Sequence, residues 1–162
     1  MNQIRIILVD DHDLMRQGLS QIIELEEDLT VCGMASDGKM AVQMAEELEP
    51  DIVLLDINMP NMNGIEALKA IKAKNMATKV IMLTIHDNRE YLIETIKIGA
   101  EGYILKDADA SDLYRAIRNV NIGQNYIHPS LSNQLAHDFI ISEKLNVKEV
   151  ENKTNLTNRE HE

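Results

Sequence analysis

Short apolar runs alternate with stretches of helical periodicity five times along the chain, starting within its first ten residues. The runs are 4–9 (IRIILV), 30–35 (TVCGMA), 51–55 (DIVLL), 79–83 (KVIML) and 102–105 (GYIL). Between and after them, 14–26, 38–49, 64–74, 88–98 and 110–122 bring apolar side chains back every three or four positions, as with Leu14, Leu19, Ile22 and Ile23. Strand-length runs between amphipathic helices predict repeated βα units around a parallel sheet with right-handed crossovers. Pro50, Gly99, Gly123 and the Asp37–Gly38 pair fall where helices should start or stop. The repeat predicts a (βα)5 domain over 1–125.

Residues 126–155 read as a linker outside that repeat, with one helix expected over about 130–141 and Pro129 at its start. The stretch 146–155, NVKEVENKTN, has only valines for apolar content and is expected to lack a packed core. Thr157 and Glu160 have the spacing of a capping box in LTNREHE. That helix would have no body, so 156–162 is expected to be the truncated opening of another domain.

Composition narrows the function classes. The 162 residues are 44% hydrophobic and carry a net charge of −11, which argues against nucleic-acid binding by this chain alone, since phosphate affinity comes from clustered Lys and Arg. Cys32 is the one cysteine, so no intrachain disulfide can form. Met1 leads directly into a strand pattern rather than a signal peptide, and no apolar run would span a bilayer. A cytoplasmic location is expected.

The candidate chemistry begins at RIILVDDHD, residues 5–13, where an apolar strand runs into three aspartates. Carboxylates at contact distance repel by several kcal/mol, so something must offset them. Asp10 and Asp11 follow the first strand, Asp56 ends the third, Thr84 the fourth and Lys106 the fifth. Ligands bind at such carboxyl ends in open α/β sheets. If the strands take the flavodoxin-like order 2-1-3-4-5, the first and third are neighbours and Asp10, Asp11 and Asp56 share one pocket flanked by Thr84 and Lys106. No local set of His or Cys residues is apparent, so the expected donors are oxygens and the expected cation is Mg2+, which usually keeps waters and takes phosphate oxygens. A carboxylate can itself accept a phosphoryl group, with a lysine, a hydroxyl and the metal stabilising the transferred oxygens.

Four motifs, LVDDHDLMRQGL, DIVLLDINMPNMNGIEAL, VIMLTIHD and GAEGYILKDAD, resemble those of response regulator receiver domains in order and spacing over about 4–123. The resemblance implies a doubly wound flavodoxin-like fold of order 2-1-3-4-5. It also implies a Mg2+-dependent phosphoacceptor switch, rather than an enzyme, charged by a sensor histidine kinase. Asp56 would be the phosphoacceptor, with Asp10, Asp11, Asp56 and the Asn58 carbonyl as Mg2+ ligands, and Thr84 and Lys106 on the phosphoryl oxygens. Asn58 and His86 would tune phosphoryl lifetime. Phosphorylation would draw in Thr84, let Tyr103 move inward, alter the surface of 88–98, strand five and 110–122, and promote a dimer. Many receivers follow the lysine with proline; here Asp107 follows it, as in the NarL/FixJ subgroup. That subgroup carries a LuxR-type helix-turn-helix output domain, whose opening resembles 156–162. DNA binding and transcription control would then belong to the missing domain.

Blander explanations exist for single residues. Asp11 or Asp13 could cap the first helix, and Asp13 is assigned to that role. Tyr103 alone would be core packing, His86 a surface loop residue, Met59 and Met62 filler, and Cys32 a buried small hydrophobe. A haloacid dehalogenase-type phosphatase would place a D-x-D motif on the first strand, whereas here the acceptor candidate reads DIN on the third. A flavodoxin-like binding module would need a Ser/Thr/Gly phosphate loop after strand one, and none is present.

Overall fold

The computed structural model of the chain describes residues 2–59, 62–74, 77–84, 89–129, 131 and 133. Two compact units divide it, Met1–His128 and Pro129–Glu162. In the second, Pro129, Leu131 and Asn133 have helical backbone. The remainder of the helix expected over 130–141, the polar stretch 146–155 and the segment 156–162 lie outside the described residues.

The first unit runs β1 (Ile4–Val9), α1 (Asp13–Glu24), β2 (Leu29–Ala35), α2 (Gly38–Leu48), β3 (Ile52–Asp56), α3 (Gly64–Ala73), β4 (Lys79–Thr84), α4 (Arg89–Ile98), β5 (Gly102–Leu105), α5 (Ala110–Asn121) and β6 (Tyr126–Ile127). All pairings are parallel, in the order β2-β1-β3-β4-β5-β6. The doubly wound α/β fold and the order of its first five strands therefore stand as expected. The sixth strand was not expected. Its two residues pair with Gly102 and Tyr103 and carry the sheet past residue 125, and two residues are too few to show an alternation.

Strand β3 is buried along its whole length, as a central parallel strand covered on both faces must be. Ile6 and Leu8 of β1, Ile52 and Leu54 of β3, and Ile81 and Leu83 of β4 point to one face. There they meet Ile23 of α1 and Leu113, Ala116, Ile117 and Val120 of α5, which recur at helical spacing. The arginine that interrupts β1 has a use: Arg5 Nη1 donates to the carbonyls of Leu48 (2.7 Å) and Glu49 (3.1 Å) at the end of α2. A cation there satisfies carbonyls the helix leaves unpaired.

Helix starts follow their caps. The Asp37 carboxylate accepts from Met40 N (2.8 Å), and the Asn63 side chain accepts from Glu66 N (2.9 Å). Helix α1 departs from expectation. Its N-cap is His12, without a side-chain cap bond, and Asp13 is the first helical residue, where its charge suits the helix dipole and pairs with Arg16. Cys32 is also only half-buried, because β2 is an edge strand.

Gly64 allows the loop after β3 to fold back on it: its amide donates to the Ile57 carbonyl (2.9 Å), and a Cβ there would stand 2.2 Å from the Asp56 carbonyl oxygen. This close approach sets the path of the chain beside the last residue of β3.

Candidate functional site

At the carboxyl ends of β1 and β3 the sheet order reverses, since the chain leaves β1 to form β2 on one side and later β3 on the other. Asp10 and Asp56 meet in that crevice, each 1% exposed. Lys106, just after β5, reaches across with its Nζ 2.9 Å from Asp56 Oδ2 and 3.3 Å from Asp10 Oδ2. Its own amide donates to the Thr84 carbonyl (2.9 Å), which fixes where the side chain starts. Asp11 sits at the rim, and Thr84 ends β4, buried.

Backbone groups hold the carboxylates in place. Asp56 Oδ1 accepts from the Asn58 amide (3.2 Å), and Asp10 Oδ1 from the His12 amide (2.9 Å). The Asp10 amide donates to the Ala35 carbonyl (3.2 Å), while Arg16 donates to the Asp10 carbonyl from α1. Burial pushes the Asp56 carboxyl above the usual aspartate range, with the hydrogen bond and charge of Lys106 opposing the rise. Burial would pull the Lys106 ammonium down, but the hydrogen bond and charge of Asp56, joined by Asp10, carry it above its ordinary value.

Three carboxylates and one ammonium leave a formal deficit of two positive charges, which a divalent cation would cancel. Asp10 Oδ2 is buried without a hydrogen bond; its 3.3 Å approach to Lys106 Nζ is a charge contact that lacks hydrogen-bond geometry. An orphaned anionic oxygen in an acidic pocket fits a hard cation. By contrast, a cleft of about 830 Å3 at the other end of β3 and β4 is lined by Glu46, Pro50, Lys74 and Thr78. Lys74 and Glu46 pair there, and no buried carboxylates converge.

Two features add to the sequence reading. His12 belongs to the cluster: one ligand atom from each of Asp10, Asp11, His12 and Asp56 lies within 4.8 Å of the others. The sequence reading considered oxygens alone and passed over this ring, which the N-cap position of His12 places beside the carboxylates. The signal was the histidine inside DDHD. Tyr103 is also already inward, 1% exposed, with its hydroxyl donating to Thr95 on α4. This conformation thus already has the ring in the inward position that the sequence reading assigned to the switched state. Asn58 is exposed on the loop after β3, and His86 lies outside the described residues.

A parallel sheet of this order with acidic residues and a lysine at its switch point defines a class, and the chain belongs to it: the profile of the response regulator receiver domain family matches residues 6–118. Within the family it resembles transcriptional regulators of the NarL and LuxR type. It is 39% identical over 138 residues to the transcriptional regulatory protein DegU of Brevibacillus brevis, covering 85% of this chain and 58% of that protein. With the nitrate/nitrite response regulator protein NarL of Escherichia coli K12 it shares 37% identity over 131 residues, 81% of this chain and 61% of the other. A two-component response regulator of the LuxR family from an Aurantimonas species superposes with a TM-score of 0.81 at 30% identity, covering 86% of this chain and 99% of that one. The chain spans about three-fifths of the length of the DegU and NarL proteins it matches. Among the described residues, no helix is long and apolar enough to cross a membrane.

Proposed function

We propose that Asp56 accepts a phosphoryl group from the phosphohistidine of a sensor kinase. The observation that carries this reading is the contact of Lys106 Nζ with both Asp56 and Asp10 inside one buried acidic pocket. A carboxylate oxygen of Asp56 forms the new bond to phosphorus as the phosphorus–nitrogen bond breaks, and the departing imidazole takes up a proton. Lys106 pairs with the transferred oxygens and the Thr84 hydroxyl donates to them. Asp10, Asp11, Asp56 and the Asn58 carbonyl would hold Mg2+, which when bound neutralises charge that builds up during transfer. Asn58 and His86 would set how long the phosphoryl group survives.

The switch runs through α4. Thr84 ends β4, from which the chain passes on to α4, and Tyr103 ties β5 to α4 through Thr95. Displacement of Thr84 toward the phosphoryl group shifts this packed pair and alters the α4–β5–α5 surface, promoting self-association. Moving a two-state equilibrium from mostly off to mostly on takes roughly 5 kcal/mol, within reach of several charge-assisted contacts. With β6 in the sheet, the receiver would run to His128 rather than 125, followed by a linker to 155 and, over 156–162, the opening of a helix-turn-helix output domain through which a cytoplasmic regulator binds DNA. The relatives' names and the fraction of their length matched support this division.

The test is intact mass after acetyl phosphate and Mg2+. Wild type gains one phosphoryl mass and Asp56→Asn gains none. Stoichiometric carboxylate labelling of that variant defeats the assignment. Light scattering with beryllofluoride then shows a shift toward dimer in wild type only.

A further inference from the structure

We propose that His12 supplies a nitrogen donor to the cation site, so that the site takes first-row transition ions such as Mn2+ in mixed oxygen–nitrogen coordination, ahead of Mg2+. This rests on the reading of Asp10, Asp11 and Asp56 as cation ligands. Three observations carry it. His12 Nδ1 lies 3.1 Å from Asp10 Oδ1 and 3.0 Å from Asp11 Oδ1. These are hydrogen-bond separations, and they bring the Nδ1 edge against two of the carboxylates that would hold the ion. Asp10 Oδ2, buried and without a hydrogen bond though 3.3 Å from the Lys106 ammonium, turns a second oxygen of the same carboxylate into that pocket.

The backbone places the imidazole. As N-cap of α1, His12 has extended backbone (φ −97°, ψ 115°), and its amide is held by Asp10 Oδ1. The ring is 70% exposed, so packing does not fix it, yet its Nδ1 edge faces the carboxylates. Without an ion, a proton on Nδ1 satisfies both oxygens. As a ligand the ring would offer its Nδ1 lone pair and keep its proton on Nε2. Mg2+ gains little from an imidazole, whereas Mn2+, Co2+ and later ions gain progressively more.

Electron spin echo modulation of the Mn2+-loaded 162-residue chain reads the donor directly. Wild type shows imidazole nitrogen modulation and His12→Ala does not, while the variant keeps its far-ultraviolet dichroism and still binds Mn2+ through the carboxylates. The ratio of Mn2+ to Mg2+ affinity, from competition followed by water relaxation, falls about ten-fold in His12→Ala. Bound Mn2+ without nitrogen modulation in wild type overturns the role of His12 but leaves the cation site standing. Nitrogen modulation that survives in His12→Ala also overturns it, since another imidazole is then the donor. Mn2+ binding unaffected by Asp10→Asn or by Asp56→Asn overturns the cation reading beneath it.

Discussion

The phenol of Tyr103 donates to the hydroxyl of Thr95, joining β5 to α4 through two side chains that are both removed from water. Thr95 in turn lies within hydrogen-bond distance of the Tyr91 carbonyl (2.8 Å) and the Leu92 carbonyl (3.0 Å), one turn back in α4. Tyr103→Phe keeps the ring and deletes only the donor. It is expected to cost about 1 kcal/mol in urea unfolding. Faster hydrogen exchange confined to α4 would show that the bond holds that helix; unchanged exchange there would show that it does not.

The pocket's charges predict opposite effects of one substitution. Asp11→Ala relieves repulsion and deletes a ligand, so the ion-free chain should be no less stable while Mg2+ stabilises it less. Ten-fold weaker affinity removes about 1.4 kcal/mol of the stabilisation at saturating ion. Thermal melts with and without Mg2+ measure both effects, and an unchanged Mg2+-induced shift in an Asp10→Asn/Asp11→Ala variant contradicts the assignment.

Two glycines should respond oppositely to alanine. A Cβ at Gly64 meets the Asp56 carbonyl, a backbone atom that cannot step aside without moving the site. Gly64→Ala should cost about 3 kcal/mol or more. Gly18 lies inside α1 with nothing within 4 Å of an added Cβ, so Gly18→Ala should gain about 0.5–1 kcal/mol from backbone entropy alone. Chemical denaturation decides both.

Acid sensitivity has one source that can be isolated. The hydrogen bond from Arg118 holds the Asp28 carboxyl below the usual aspartate range. A folded-state value below the unfolded one gives stability that is complete above the unfolded value of about 4 and is lost as pH falls through the folded value. Both side chains are partly exposed, so the pair is expected to contribute about 0.5–1 kcal/mol. Arg118→Met should be less stable than wild type at pH 7, by a gap that narrows in denaturation series below pH 4. The part due to stacking of Arg118 on Tyr114 should persist, since no proton is involved.

The convergence of Asp10, Asp56 and Lys106 was legible because each follows or ends an apolar run, and a parallel sheet gathers such ends on one edge. His12 was not. Capping preference favours Asp at a helix start, so sequence reasoning gave that position to Asp13, whereas the helix begins one residue after the histidine. Thr95 was equally hidden, because a hydroxyl residue in an amphipathic helix reads as surface until the aromatic ring that covers it is placed. Asp56 shows the limit most clearly: its place in the strand was readable, but the raised carboxyl depends on how deeply neighbouring strands enclose it.

The 50 positions between Asp56 and Lys106 also order events in time. A chain made from its amino terminus completes β2, β1 and β3, and with them the Asp10–Asp56 crevice, before the lysine exists. At roughly 5–20 residues per second that interval lasts about 3–10 seconds. During it the nascent half-sheet carries two facing carboxylates and no covalent counter-charge, so its own pocket works against its closure. Arrival of β5 beside β4 brings the Lys106 ammonium that offsets that repulsion. A ribosome stalled between those two codons is expected to display a fragment that protease cuts more readily than the finished domain, with added divalent cation narrowing the difference.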